Sequence, residues 1–261
     1  MKEGTSAGLE MTGGVREDRM PRRRQLTEPS AREDFREHDG VRHCASLSAY
    51  GTYLWGQGRW EEARVVYERA LAALPQNLAA RRNLAVASSV CGLHDKAIDA
   101  FVDLVAGSPD NAALHNAFGL ILHNAGQLER AGEEFSRAVD LAPTECIYWH
   151  HKGTNALARN RIAEAVTALA RAVALPGAPA AAYYNLAMAL GAAGETERAA
   201  MFLQKAVSLV PDDTDLLMCA ARIMDGWGQR NAAIECLRAF DRTGRRHAGV
   251  DALLHSLAAG A

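Results

Sequence analysis

The strongest constraint on the fold is an alanine that recurs every 34 residues from position 63 onward. Six alanines keep this interval without an insertion: Ala63, Ala97, Ala131, Ala165, Ala199 and Ala233. A fixed period of this length is the sequence signature of repeat architectures, in which each unit is one small supersecondary motif. The chain of 261 residues is therefore predicted to contain a tandem array of six units.

Small residues form a second column, twelve positions before each alanine. They are Gly51, Ala85, Gly119, Gly153, Ala187 and Ala221. Small residues on both sides of a contact let two helices approach closely, because neither side carries side-chain bulk. Each unit is therefore predicted to be a pair of closely packed helices.

Three more columns define where these helices turn and what they bury. Five positions before the alanine stand residues suited to a left-handed helix end: Gly58, Gly92, Gly126, Asn160, Gly194 and Gly228. Four positions after it stand large apolar residues: Tyr67, Phe101, Phe135, Leu169, Leu203 and Leu237. Prolines that stop the second helix follow at Pro75, Pro109, Pro143, Pro176 and Pro211. We expect Asn77, Asp110, Asp212 and Asp213 to help cap the next helices.

This pattern resembles the tetratricopeptide repeat family, whose repeat is about 34 residues long. The likeness is closest in "GQGRWEEARVVYERALAALPQN" at 56–77 and "GQLERAGEEFSRAVDLAP" at 126–143. The resemblance implies an all-α solenoid, a right-handed superhelix of helix–turn–helix repeats. The predicted units are 44–77, 78–111, 112–145, 146–179, 180–213 and 214–247.

Two units depart from the family pattern. Asn160 and Lys152 depart from it in unit four, and Arg245 replaces the terminal proline of unit six. A capping helix is predicted within 248–261, because solenoid ends need one.

The segment before the repeats differs in composition. Residues 1–43 carry nine Lys/Arg and nine Asp/Glu and no periodic apolar face, so they are predicted to be a disordered, charged tail. The run Arg22–Arg24 is balanced by its acidic neighbours, and the formal net charge is −2, so a nucleic-acid partner is not expected.

Two other features bear on the compartment. The uncharged stretch 172–194 is long enough to span a bilayer, but Pro176, Gly177 and Pro179 and the repeat register favour a turn followed by a buried helix. The five cysteines have no metal-binding or disulfide-framework spacing. Free thiols in a reducing cytoplasm are predicted, with no membrane association.

The resemblance also implies where a ligand binds, because the first helix of each unit lines the concave groove of this family. Groove-facing positions are the second, fifth, sixth, ninth, twelfth and thirteenth of each unit. The predicted groove residues are Arg82, Asn83, Val86, Asn116, Leu120, His123, Asn124, His150, His151, Thr154, Tyr184, Asn185, Met188 and Arg222. Their amides offer donors and acceptors to an extended peptide backbone, while Tyr184 and Met188 can hold an apolar anchor.

A specialised version of this groove is not expected. The family's carboxylate clamp for chaperone tails needs a lysine and an asparagine where unit one has Ser48 and Thr52. Arg82 and Asn83 alone do not rebuild it. A complete asparagine ladder is also missing, since Ala117 and His151 interrupt the column of Asn83 and Asn185.

Neither catalysis nor metal binding is predicted for this chain. His150 and His151 are adjacent, so on a helix they point about 100° apart and are poorly placed to chelate one metal. The pairs Glu61–Glu62 and Glu133–Glu134 are interpreted as solvated helix faces, and His115 and Trp149 as packing residues. We find no nucleotide-binding, nucleophile-elbow or zinc-protease motif, so neither an enzyme nor a cofactor is expected.

The leading hypothesis is a scaffold or adaptor that binds a peptide segment of a partner protein in its groove. A chaperone for secreted or assembling subunits is the main alternative, and self-assembly into a structural scaffold or homo-oligomer is another. The client's identity lies outside the sequence.

Overall fold

The computed structural model describes residues 37–242 and 244–259. All regular secondary structure in these ranges is helical, in thirteen helices. The described part of the chain divides into two compact units, one on each side of the boundary between Gly107 and Ser108. The predicted all-α repeat fold is confirmed in both units, each of which is built of helical pairs.

The first unit contains two helical pairs. Its helices are α1 Glu37–Gly56, α2 Trp60–Ala73, α3 Leu78–Val90 and α4 His94–Ala106. Helix α1 begins seven residues before the predicted boundary at 44, so 37–43 is helical and the predicted tail is wrong there. Gly40 and Cys44 are buried at one-turn spacing, which extends the buried face of the helix. The rest of the predicted tail, 1–36 with Arg22–Arg24, lies outside the described residues.

The second unit contains four helical pairs and a final helix. Its helices are α5 Ala112–Asn124, α6 Leu128–Leu141, α7 Cys146–Ala158, α8 Ile162–Ala174, α9 Ala180–Ala192, α10 Thr196–Leu209, α11 Thr214–Gly226, α12 Arg230–Asp241 and α13 Ala248–Ala259. Helix α13 lies in the segment predicted to cap the array. It buries Val250 and Leu257 against the core of α9 to α12.

The sequence columns form the contact between the two helices of each pair. All six register alanines are fully buried, as are the six large apolar residues that follow them. A Cβ atom at Gly119 would lie 2.6 Å from Phe135 Cε1, and one at Gly153 would lie 2.5 Å from Leu169 Cγ. Burial of each large side chain stabilises the fold by ~1.5–3 kcal/mol, and the missing Cβ is what permits it.

The turn inside each pair uses a left-handed residue. Five of the six turn positions are glycines with φ between 72° and 84°. Asn160 takes the sixth position with φ 57°, which asparagine tolerates better than other residues with a Cβ. The departure of unit four from the family pattern therefore leaves the turn intact.

Side chains cap the N-terminus of several helices, and the structure corrects two of the predicted caps. Asn77, Asn111 and Asp213 accept hydrogen bonds from backbone N–H groups three residues later. The predictions for Asn77 and Asp213 are confirmed. Those for Asp110 and Asp212 are wrong, since the residue directly before the helix holds the cap.

Side chains near the start of several repeats hold the preceding loop. Arg81 donates to the carbonyl of Pro75, His115 to that of Pro109 and Trp149 to that of Pro143, at 3.1, 2.7 and 2.9 Å. These three donors occupy the same position in three successive repeats. Interpreting His115 and Trp149 as packing residues alone was therefore incomplete, because both also satisfy a loop carbonyl.

Glu134 corrects a second interpretation. Its side chain is buried, not solvated, and its Oε2 lies 2.6 Å from Nδ1 of His115 in the same pair of helices. Arg137 donates to the other carboxylate oxygen at 2.6 Å. Both carboxylate oxygens of Glu134 and both ring nitrogens of His115 therefore have partners.

Two compositional predictions can be compared with the structure. No helix in the described ranges is long and apolar enough to cross a membrane, and the uncharged stretch 172–194 forms the end of α8, a turn and α9. All five cysteines are free. Cys44 and Cys236 are buried and Cys219 is exposed.

Candidate functional site

The predicted groove residues divide between the two units. Arg82, Asn83 and Val86 lie on α3 in the first unit, where Arg82 is exposed and Val86 is buried. The remaining residues lie on the first helices of the repeats in the second unit. Helix α5 carries Asn116, Leu120, His123 and Asn124; α7 carries His150, His151 and Thr154; α9 carries Tyr184, Asn185 and Met188; α11 carries Arg222.

In the second unit, two pairs of these residues are joined by equivalent hydrogen bonds between successive first helices. Nδ1 of His151 lies 2.8 Å from Oδ1 of Asn116, and Nδ2 of Asn185 lies 2.9 Å from Nε2 of His150. Each pair is separated by 35 residues, so the fifth position of one repeat reaches the sixth position of the next. The amide group fixes the ring orientation in both pairs, with His151 donating from Nδ1 and His150 accepting at Nε2.

Further contacts extend this arrangement. Asn185 Nδ2 also donates to the Thr154 hydroxyl at 3.2 Å, and that hydroxyl donates to the carbonyl of His150 at 2.9 Å. Asn155 Nδ2 donates to Nδ1 of His123 at 3.1 Å. We name this network the polar seam; its members are Asn116, His123, His150, His151, Thr154, Asn155 and Asn185.

The same two positions recur in the next repeat without a hydrogen bond between them. Tyr184 occupies the fifth position of its repeat and Cys219 the sixth position of the following one. Burial raises the pKa of the Tyr184 hydroxyl, and the electrostatic effect of the nearby Cys219 thiol raises it further. Cys219 and Asn155 were not predicted as site residues. For Cys219 the signal was its offset of one position beyond the repeat period, which an alignment on that period does not reveal.

The histidines of the seam are held neutral. Burial lowers the pKa of His123, lowers that of His150 to about 4 and lowers that of His151 to about 3. His150 and His123 add a smaller repulsion to the charged form of His151. The three rings therefore act as uncharged hydrogen-bonding groups near pH 7.

The seam satisfies only part of its hydrogen-bonding capacity. Asn116 Nδ2, Asn185 Oδ1 and His151 Nε2 have no partner among residues 37–242 and 244–259, and they are not among the buried unpartnered atoms. Because His151 donates from Nδ1, its neutral ring presents a lone pair at Nε2. By contrast, Nδ1 of His150 is buried without a partner in the same ranges, at a cost of ~1–3 kcal/mol.

The positions of α5, α7 and α9 that are predicted to face the groove carry no Asp, Glu, Lys or Arg. Charge appears on α11, with Asp215, Arg222 and Asp225.

Some predicted residues stay outside the network. Within the described ranges, Leu120, Asn124, Met188 and Arg222 make no hydrogen bond to the seam, so the structure does not bring them into it. The described part of the chain holds no group of three His, Cys, Asp or Glu side chains placed to bind an ion.

Comparison with known proteins identifies the family. One tetratricopeptide repeat model matches residues 45–87, and a second matches residues 92–145 and 151–214. These segments make up more than half of the chain, which therefore belongs to the tetratricopeptide repeat family. No curated protein sequence matches it significantly.

Solved structures of similar fold support this assignment. The Cut9–Hcn1 hetero-tetramer of APC/C aligns over 85% of this chain at a TM-score of 0.63 and 18% identity. This chain spans 44% of that relative's length. The type IV pilus biogenesis factor PilW aligns over 81% of this chain and 98% of its own, at a TM-score of 0.65 and 21% identity.

A third structure is YrrB, described as a TPR protein with an unusual peptide-binding site. It aligns over 67% of this chain and 90% of its own, at a TM-score of 0.50 and 21% identity. These identities establish a shared fold and nothing finer. The repeats make this chain a protein–protein interaction scaffold in general terms, and proteins of this family are generally non-enzymatic.

Proposed function

We propose that the second unit binds an extended, uncharged segment of a partner protein across the face formed by α5, α7 and α9. The observation that carries this proposal is the polar seam with three atoms that are unpaired within the described chain and not fully buried. The seam holds Asn116, His151 and Asn185 in fixed orientations, so a ligand that pairs with them meets groups already positioned to bind.

These three unpaired atoms match the chemistry of a peptide main chain. Asn116 Nδ2 donates, while His151 Nε2 and Asn185 Oδ1 accept, as an extended backbone requires on alternating residues. Main-chain pairing gives affinity without reading side chains. The peptide-binding site named for YrrB is a precedent for this use of the same fold.

The lack of charge selects against charged clients. Burial of a ligand carboxylate or ammonium against an uncharged surface costs free energy, because no opposite charge replaces the lost water. The favoured client is therefore a segment with small or apolar side chains, and Tyr184 and Met188 offer contact surface at one edge. The affinity expected for one such segment is on the order of micromolar.

A charge placed on this face tests the proposal. Ala181→Glu adds a carboxylate at an exposed groove-facing position, the second residue of α9. Ala163→Glu adds the same group at the exposed second residue of α8, outside the groove-facing positions. Binding of the full chain to a peptide array that varies net charge would be measured for both variants.

We expect Ala181→Glu to lose neutral peptides and Ala163→Glu to keep them. Substitution of both Asn116 and Asn185 by alanine should give the same loss while helicity is retained. Equal binding by all variants would place the site elsewhere, and preferred binding of acidic or basic peptides by the parent chain would contradict the client chemistry. Suppression of client aggregation in solution by the parent chain would support the chaperone role.

A further inference from the structure

A second concave surface of the second unit lies away from the polar seam. It is a cavity of about 240 Å³ among α10, α11 and α12. Its walls are apolar side chains: Val207, Pro211, Leu217, Cys236, Ala239 and Phe240. Burial raises the pKa of the Cys236 thiol to about 11, so this wall stays uncharged.

The last repeat departs from the one before it at two positions that line the cavity. Cys236 and Ala239 stand where the preceding repeat has Phe202 and Lys205 at the equivalent positions. Two long side chains are thus replaced on α12 by two short ones, of which Cys236 is buried and Ala239 exposed. The floor is well packed, since Leu217 is 1% exposed and Phe240 9% exposed.

The volume fits one side chain better than a metabolite. Pockets for drug-sized ligands measure about 300–1,000 Å³, and this cavity is smaller and open to the surface. A single aromatic or branched aliphatic group buried in such a pocket is the usual anchor of a protein–protein contact. Met201, at 67% exposure, lies on the same face of α10 as the rim residues Gln204 and Ser208, and it extends the apolar surface beyond the mouth.

The charge at the rim narrows the partner further. Glu235 is the charged residue among those lining the cavity. It forms no ion pair with any residue of the described chain, and its side chain is exposed. A partner that carries a positive charge next to its apolar anchor gains an attraction that a neutral or acidic partner lacks.

We propose that this cavity, which we name the α10–α12 pocket, binds an apolar anchor side chain followed by a basic residue on a partner protein. The site is separate from the polar seam, so a chain that engages both would hold two different partner segments. The two sites differ in chemistry, because the seam pairs with a neutral main chain and the pocket with one apolar side chain beside a cation.

Blocked dipeptides test this with the full chain labelled at its methyl groups. The probes are acetyl-Phe-Lys-amide, acetyl-Phe-Glu-amide and acetyl-Ala-Lys-amide, and the readout is the NMR shift of the Val207 and Leu217 methyls, with Leu122 on α5 as the internal reference. We expect the Phe-Lys probe to shift the pocket methyls and to bind about 3- to 5-fold more tightly than Phe-Glu. The Ala-Lys probe should give no shift.

Three variants assign the effect to the pocket and to its charge. Cys236→Phe installs the residue that the preceding repeat carries at this position, and it should abolish the shifts. Ala239→Lys copies the same repeat and serves as the second test where Cys236→Phe fails to fold. Glu235→Gln should keep binding while removing the preference for Phe-Lys over Phe-Glu.

Several results would overturn the proposal. These are an absence of Val207 and Leu217 shifts with the parent chain, shifts that persist in a folded pocket-filling variant, and a charge preference that survives Glu235→Gln. Binding of free 2-phenylethylamine without binding of any dipeptide would replace the partner-protein anchor by a small amine.

Discussion

The two kinds of helix contact in the second unit differ in chemistry. Within a helical pair, contact is close and mainly apolar, as where Phe135 lies over Gly119, and the buried pair of His115 and Glu134 is a polar exception. Between successive first helices, contact includes the polar seam, where amides and imidazoles pair 35 residues apart. The first kind supplies burial and stability, and the second fixes the relative orientation of neighbouring repeats through directional bonds.

This difference has a consequence for how each contact fails. An apolar contact responds to changes in volume, whereas the seam responds to protonation and to the loss of single polar atoms. Four measurements distinguish the two.

The largest effect is expected for Glu134→Ala, which removes the buried carboxylate paired with His115. Removing the carboxylate leaves Nδ1 of the buried His115 without a partner, while its Nε2 keeps the carbonyl of Pro109. We therefore expect a loss of ~3–5 kcal/mol in the free energy of unfolding, measured by urea denaturation. The double variant Glu134→Ala with His115→Trp copies the next repeat, which has Ala168 and Trp149 at these positions. It should recover most of the loss, and failure to do so would show that this pair is not interchangeable with apolar packing.

Acid is expected to weaken the seam next most strongly. The pKa values of His150 and His151 fall to about 4 and about 3 in the folded chain, from an ordinary value of 6.5. Below pH 6.5 the unfolded chain takes up protons that the folded chain refuses, so stability falls as pH drops toward 4 and is unaffected above 6.5. His150 alone contributes a loss on the order of 3 kcal/mol. His150→Gln should flatten the pH profile of unfolding, whereas His255→Gln, at an exposed ring, should not.

Gly153→Ala tests the apolar contact within a helical pair, because it adds a single methyl group there. The new Cβ would lie 2.5 Å from Leu169 Cγ, so the helices must shift, at a cost of ~1–3 kcal/mol. Gly226→Ala makes the same change at the end of α11, where no atom lies within 4 Å of the new Cβ. We expect this control to be neutral or slightly stabilising in thermal unfolding; equal effects would contradict the close-contact interpretation.

The smallest effect is expected for Thr154→Val, which removes one hydroxyl from the seam. Thr154 and Thr167 both donate to the carbonyl four residues earlier at 2.9 Å. Of the two, Thr154 also accepts from Asn185. The variant should lose ~1 kcal/mol and Thr167→Val close to nothing, so the difference between their unfolding free energies isolates the bond between repeats.

The sequence predicted the contacts within each pair because they are single-residue requirements repeated at a fixed spacing. Ala131 and its equivalents must be small whatever stands elsewhere, and Asn160 satisfies its turn because the turn needs only a left-handed residue. The seam was not predicted because each bond needs two particular residues from different columns. Asn116 and Asn185 were correctly singled out as polar groups of the first helices, but their partners follow only from the packing of one repeat on the next.

The groove assignment itself stays a prediction, as does a cytoplasmic location. Glu134 shows why local pattern was insufficient. In the sequence, Glu133 and Glu134 look like a solvated pair. Glu134 is the next residue along α6, so it lies on a different side of the helix, where its buried side chain contacts His115.

The loop carbonyls of Pro75, Pro109 and Pro143 are met by arginine, histidine and tryptophan at one repeat position. The residue type at that position differs in each of these repeats, and the three side chains share neither size, charge nor hydropathy. All three side chains nevertheless carry a hydrogen-bond donor, and each donates to the carbonyl of the preceding loop. The residue type at this position can therefore change from repeat to repeat while the hydrogen bond to the loop backbone is kept.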